Sequence, residues 1–253
     1  MKNFVEVRNL KFYYGDVLAV DGVDFDIKKG EKVVLLGSNG SGKSTLLRIL
    51  AGLYFAKKGE YIFDGKRITK KNVDKEFRKS VGVLFQNPDS MIFNPTVFDE
   101  VAFGLKQFGF TDIEDRVVQI SKKFGIEKLL KKSPLNLSGG EKQKVMLACI
   151  LAYEPKFLIL DEPTAAMDPR TTGWFVDFVY DLGVTTIIAT HDLALAYELS
   201  DRGMVMSEEH KLIYDGNLDN LMKDLDILLK ANLIHKHKHK HKKFAHSHYH
   251  LHF

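Results

Sequence analysis

A single cysteine, Cys149, stands among the 253 residues of the chain. No intrachain disulfide is possible, which fits a reducing compartment. The opening MKNFVEVRNL lacks the apolar core of a secretory leader. No apolar run approaches the ~20 residues a bilayer-spanning helix needs, so work at a membrane would go through a partner, from the cytosol. There is no internal repeat, and low complexity is confined to the last nineteen residues. A true charge excess is missing too. The net charge of +4 reflects 37 basic against 33 acidic residues, and five of those lysines lie in an acid-free tail starting at His235. Without them the body stands near −1. A body that close to neutral gives no general case for binding nucleic acid. What remains is an ordinary globular composition, 45% hydrophobic and 28% charged, long enough for one domain with a subdomain.

Residues 4–14 and 21–27 read as short strands rich in β-branched and aromatic residues. Glu60–Phe63 and Lys66–Ile68 read as a hairpin turning at Asp64-Gly65. Apolar runs at Val33–Leu36, Val81–Phe85, Phe157–Leu160 and Thr186–Ala189 suit strands of a parallel sheet buried on both faces. Helical segments, including Ser44–Leu53, Glu114–Phe124 and Gly140–Tyr153, separate them, which predicts α/β architecture. From Gln86 to about Leu151 no strand stands out, so a helical subdomain interrupts the sheet. Met204–Met206 and Leu212–Tyr214 read as a closing hairpin, followed by a helical stretch over about Leu218–Leu233.

The strongest motif is GSNGSGKST, comprising Gly37, Ser38, Asn39, Gly40, Ser41, Gly42, Lys43, Ser44 and Thr45. It follows an apolar strand and precedes a helix, the context a P-loop requires. Gly40 and Gly42 let the backbone wrap a phosphate, while the helix start aims N–H donors at the anion. Lys43 is placed to reach the β- and γ-phosphates and Ser44 to ligate Mg²⁺. FLILDEP, Phe157–Pro163, delivers Asp161 and Glu162 at the C-terminal end of a buried strand, where open α/β sheets place ligands. Alone it is compatible with an acidic turn. After a P-loop it supplies Asp161 for Mg²⁺ and Glu162 as general base for an attacking water. LSGGEKQK, Leu137–Lys144, starts as a capping box, Ser138 with Glu141 three residues on. Two adjacent glycines add nothing to a cap and suit close backbone approach to a ligand.

These motifs, in this order and spacing, resemble the ATP-binding subunit of an ATP-binding cassette (ABC) transporter over about residues 4–216. The resemblance implies a P-loop NTPase core of ABC type, α/β, with an N-terminal antiparallel β subdomain and an inserted α-helical subdomain. The ATPase domain then spans 1–234, with the helical part at about 87–151. It further implies that Tyr14 stacks on adenine, with Tyr13 as competitor. Gln86 is similar to the glutamine that senses Mg²⁺ and the attacking water, Asp168 to the D-loop aspartate and His191 to the switch histidine at the γ-phosphate. Met167 stands where the family usually has leucine, a tolerated apolar swap. Ser138, Gly139 and Gly140 would face ATP held by a second ATPase subunit, identical or different, in a head-to-tail dimer that closes on two ATP molecules. Asp192 and the basic run Lys142–Lys144 read as solvated surface.

The stretch Gln86–Gly109 resembles the energy-coupling-factor (ECF) importers, especially their cobalt and nickel branch. There the helical region receives a coupling helix from a transmembrane component, alongside a substrate-binding membrane component. Met91, Ile92, Phe93, Val97 and Phe98 would line such a groove, or else fill the subdomain core. The expected place is peripheral, on the cytoplasmic face of the cell membrane. Competing classes are an ECF ATPase for a vitamin, a soluble ABC ATPase of a complex such as iron–sulfur cluster assembly, and a metal-storage or sensing protein with an idle cassette. Intact Lys43, Glu162 and His191 argue against idleness.

Eight of the ten histidines lie in the final nineteen residues: His235, His237, His239 and His241, then His246, His248, His250 and His252. Neutral imidazoles at this density bind Ni²⁺, Co²⁺, Cu²⁺ or Zn²⁺. Alternation puts each group of four on one side of an extended segment. The composition of 235–253 predicts disorder until metal gathers the ligands. A purification tag usually uses consecutive histidines, which HSHYHLHF does not, and a plain basic tail is the other alternative.

Overall fold

In a computed structural model that describes residues 3–241 and 244–251, with side chains for 3–234, the chain divides into two compact units. One comprises Met1–Thr69 with Ile187–Phe253, the other Lys70–Thr186.

The first unit opens with a long antiparallel pair, β1 (Asn3–Tyr14) and β2 (Val17–Lys28). Val5 and Val7 of β1, and Val23, Phe25 and Ile27 of β2, are buried at every second position, the strand period. β3 (Lys32–Leu36) is buried from Val33 onward, as the unbroken apolar run predicts. It feeds the phosphate-loop motif and then α1 (Lys43–Leu50). β4 (Lys58–Phe63) and β5 (Lys66–Arg67) form the expected hairpin. Its turn residues Asp64 and Gly65 have φ of 48° and 76°, the positive pair that a tight hairpin demands. These strands make a sheet in the order β2-β1-β4-β5.

The second unit holds α2 (Lys75–Ser80), β6 (Val81–Leu84), α3 (Val97–Phe108), α4 (Ile113–Phe124), α5 (Gly139–Leu151), β7 (Phe157–Asp161) and α6 (Pro169–Tyr180). β6 and β7 pair in parallel from Val81↔Phe157 to Leu84↔Leu160. α3, α4 and α5 pack on one another around the fully buried Val101, Leu105, Val117, Phe124, Val145 and Ala148. This is the helical insertion expected after Gln86. α3 is bounded by Thr96, whose hydroxyl accepts from the Asp99 N–H at 3.1 Å, and by Gly109 at φ 80°. Trp174, the only tryptophan, stacks on Phe178 at 5.4 Å and meets Phe124 edge-on at 5.6 Å. The Lys144 ammonium caps its other contacts, 4.3 Å from the ring centre.

The chain returns along β8 (Thr185–Thr190) to α7 (Leu193–Leu199), β9 (Arg202–Met206), β10 (Leu212–Asn217), α8 (Leu218–Leu221) and α9 (Leu225–Lys230). The first unit's sheet runs β10-β9-β3-β8, with β9 parallel to β3 and β10 antiparallel to β9. Arg202 clamps it, donating to Asp215 at 2.7 Å through two nitrogens and to Glu31 at 2.9 Å. The helical stretch over about Leu218–Leu233 is two short helices, because Asp224 breaks it and caps α9 through the Ile227 N–H at 3.1 Å. Where composition predicts disorder, the described backbone runs as paired strands, β11 (Ile234–His241) and β12 (Phe244–Leu251). Alternating histidines match the two-residue strand period. His252 lies outside the described residues.

Candidate active site

In the first unit, β3 ends at Leu36 and the GSNGSGKST loop leaves it. Gly37 adopts φ 152° and Gly42 φ 104°. A β-carbon on Gly37 would lie 2.6 Å from the Met206 carbonyl oxygen, and one on Gly42 would strike the Ala19 carbonyl. Both positions therefore need glycine, for backbone angle and for room. Lys43 is 5% exposed and folds its ammonium back over the loop, donating to the carbonyls of Gly37 at 2.7 Å and Ser38 at 3.1 Å. The Ser41 hydroxyl is buried with no hydrogen-bond partner among the described residues. A held cation, an unsatisfied hydroxyl and a turn of backbone leading into a helix start fit a nucleotide phosphate with its magnesium.

Tyr14 ends β1 and is 44% exposed, with its hydroxyl 3.2 Å from the hydroxyl of Thr45, the last loop residue. Phe12 and Tyr54 brace the ring edge-on at 5.1 and 5.7 Å. Tyr13, the competing aromatic, instead has the Lys57 ammonium 5.4 Å from its ring centre. His191 follows directly on β8, the sheet neighbour of β3.

The second unit gathers another set. Asp161 ends β7 at 3% exposure and Glu162 follows at 6%. Glu162 has φ 47°, a left-handed angle that costs a non-glycine residue roughly 1 kcal/mol or more and clusters at functional positions. Gln86 is exposed two residues past β6. Gln86 and Glu162 each lie two residues beyond the paired Leu84 and Leu160 of neighbouring parallel strands, so both emerge at one edge. The capping box is complete: Glu141 accepts from the Ser138 N–H at 2.9 Å, and Ser138 Oγ accepts from the Glu141 N–H at 3.4 Å. The Ser138 N–H and the Ser138 hydroxyl, both donating to Glu141 Oε2 at 2.9 Å, hold its carboxyl below the ordinary range. Gly139 and Gly140 have a reason within the chain as well. A β-carbon on Gly139 would lie 2.5 Å from the Ala166 carbonyl oxygen, and one on Gly140 3.0 Å from the Thr171 hydroxyl. Asp168 caps α6, accepting from the Thr171 hydroxyl at 2.8 Å and the Thr171 N–H at 3.0 Å, which holds its carboxyl low. Gly140 and Asp168 thus meet at Thr171.

The residues read as solvated surface also have partners within the chain. Lys142 pairs with Asp89 at 2.7 Å. Lys144 sits over Trp174. Asp192 caps α7, accepting from the N–H groups of Ala194 at 2.9 Å and Leu195 at 3.0 Å. Among the apolar residues Met91–Phe98, Phe93 is 62% exposed and stacks edge-on with Phe103 at 4.6 Å, whereas Val97 is fully buried. Sequence reading places a hairpin turn at Glu208–Lys211 but gives it no role at the site, because it carries no motif. His210 Nδ1 lies 3.2 Å from the Ser41 carbonyl, and Glu208 accepts from the Ser38 hydroxyl at 3.4 Å, so the turn supports the phosphate loop.

A family model described as ABC transporter matches residues 20–165. A putative ABC transporter ATP-binding protein of Methanosarcina acetivorans is 42% identical, over 93% of this chain and 91% of the relative. The energy-coupling factor transporter ATP-binding protein EcfA of Methanocaldococcus jannaschii is 43% identical, over 90% and 84% respectively. The solved structure of cbiO1 from Clostridium perfringens, described as part of the ABC transporter complex cbiONQ, aligns with a TM-score of 0.80 at 36% identity. That alignment covers 92% of this chain and 96% of cbiO1. With more than half of the chain matched by the family model and its phosphate loop built as described, it belongs to the ABC transporter family as an ATP-binding, ATP-hydrolysing subunit.

Proposed function

We propose that this chain powers an ECF-type importer for a transition-metal ion, nickel or cobalt. Similarity to EcfA and to cbiO1 over nearly the whole chain carries the importer reading. The histidine tail and the cobalt- and nickel-like stretch Gln86–Gly109 favour a metal cargo over a vitamin.

Gly37–Thr45 bind the triphosphate of ATP, Lys43 neutralises its β- and γ-phosphates, and Tyr14 packs on the adenine. Ser44, Asp161 and Gln86 would hold Mg²⁺, which when bound offsets phosphate charge. Glu162 takes the proton of the attacking water. His191 donates toward the γ-phosphate. Ser138, Gly139, Gly140 and Asp168 face the ATP of a second ATPase subunit, identical or different. ATP binds the closed pair better than the open one, and that difference drives closure. A transmembrane coupling component and a substrate-binding membrane component complete the importer, with this subunit peripheral at the cytoplasmic face. The tail histidines store the metal close to the motor.

Glu162→Gln tests the base. The variant is expected to bind ATP, to dimerise with it and to lose turnover by about 100-fold or more. Turnover near that of the parent would overturn the assignment. Copurification with integral membrane proteins is expected of the importer, and purification with soluble partners alone would defeat it.

A further inference from the structure

The tail is rooted beside the phosphate loop. α9 ends at Lys230, and Ala231, Leu233 and Ile234 after it are buried, so the chain is anchored up to the first tail histidine. Asn232, between them, adopts φ 53° and turns its amide onto Glu208, donating to Oε1 at 2.9 Å. The same oxygen accepts from the hydroxyl of Ser38, in the phosphate loop, at 3.4 Å. The turn carrying Glu208 is fixed: Ser207 N–H donates to the Lys211 carbonyl at 2.9 Å, and Asp21 N–H to the His210 carbonyl at 2.9 Å. Glu208 is thus one carboxylate shared between the phosphate loop and Asn232, two residues before β11. On the tail side, β11 and β12 place His235 opposite His250, His237 opposite His248 and His239 opposite His246. By the strand period these positions share one face of the backbone ladder.

We propose that Glu208 reports the metal load of the tail to the phosphate loop, so that a loaded tail weakens nucleotide binding. This rests on the tail being a metal store. Metal taken up by the tail would fix the paired strands and their root, and that would keep Asn232 on Glu208. The carboxylate is then kept beside the loop that receives the triphosphate, and like charge opposes it. Because Glu208 is exposed, the effect is modest, about threefold. Coupling is reciprocal, so ATP should weaken metal binding by the same factor. The cell-level result is feedback: abundant metal slows its own import.

The test uses the full chain at pH 7.5 with excess Mg²⁺. A fluorescent ATP analogue is titrated with and without NiCl₂, and Ni²⁺ binding is followed by calorimetry. Nickel is expected to raise the nucleotide Kd about threefold. Glu208→Gln keeps the hydrogen-bonding shape and removes the charge. It should bind nickel as before, bind nucleotide more tightly and lose the nickel effect. Asn232→Ala should lose the nickel effect by a separate route. Nickel bound to the tail with an unchanged nucleotide Kd overturns the coupling and leaves the metal store standing. No nickel binding overturns both. A shift that persists when His237, His239, His246 and His248 are all replaced by alanine also overturns the proposal, by locating the effect elsewhere.

Discussion

At the scale of single residues, charge and cap do most of the work that can be tested. Glu141 and Asp168 both titrate below their ordinary values because the folded chain donates hydrogen bonds to their charged forms. Each therefore contributes stability that is full above its unfolded-state value and is lost as pH falls through the folded one. Urea midpoints should decline below about pH 5, and Thr171→Val, which removes the hydroxyl bond that most lowers Asp168, should flatten that decline. A midpoint profile unchanged by this variant would remove Asp168 from the acid response. Glu162 is the opposite kind of residue, held at φ 47° in a conformation that suits glycine. Its place at the end of a buried strand was legible in the sequence as FLILDEP. Its backbone angle was not, because no residue type in that run announces it.

At the scale of elements, the sequence is read best where its period is strong. β3, β6, β7 and β8 lie on the expected apolar runs, since a strand buried on both faces leaves an unbroken hydrophobic signature. The last helical stretch was misjudged because its apolar spacing continues across Asp224, while the cap at Asp224 ends one helix turn and starts another. The double glycine of LSGGE was legible as a demand for close approach. That Ala166 and Thr171 lie so near was not, since they are distant in sequence. Gly139→Ala should therefore destabilise the chain by ~1–3 kcal/mol in urea titration even without nucleotide. A stability unchanged from the parent would mean the glycine serves only the ligand. Thr96→Ala should cost about 1 kcal/mol through its lost cap on α3.

At the scale of the whole molecule, motor and tail are separable by charge and composition. A chain ending at residue 234 should hydrolyse ATP and bind no stoichiometric nickel in calorimetry; equal nickel binding with and without residues 235–253 would refute the tail's role. Separability in composition hides the contact that matters. Neither Ser38, Glu208 nor Asn232 forms a recognisable pattern along the chain, and only folding brings them together. The placement of Trp174 has a practical consequence. As the sole indole, it makes all tryptophan emission come from the face where α6 meets Lys144 of α5 and Phe124 of α4. Intrinsic fluorescence should thus act as a label-free gauge of α5. A change in its intensity on adding ATP would time the response of α5 without any dye, and Lys144→Met would be expected to shift the resting spectrum.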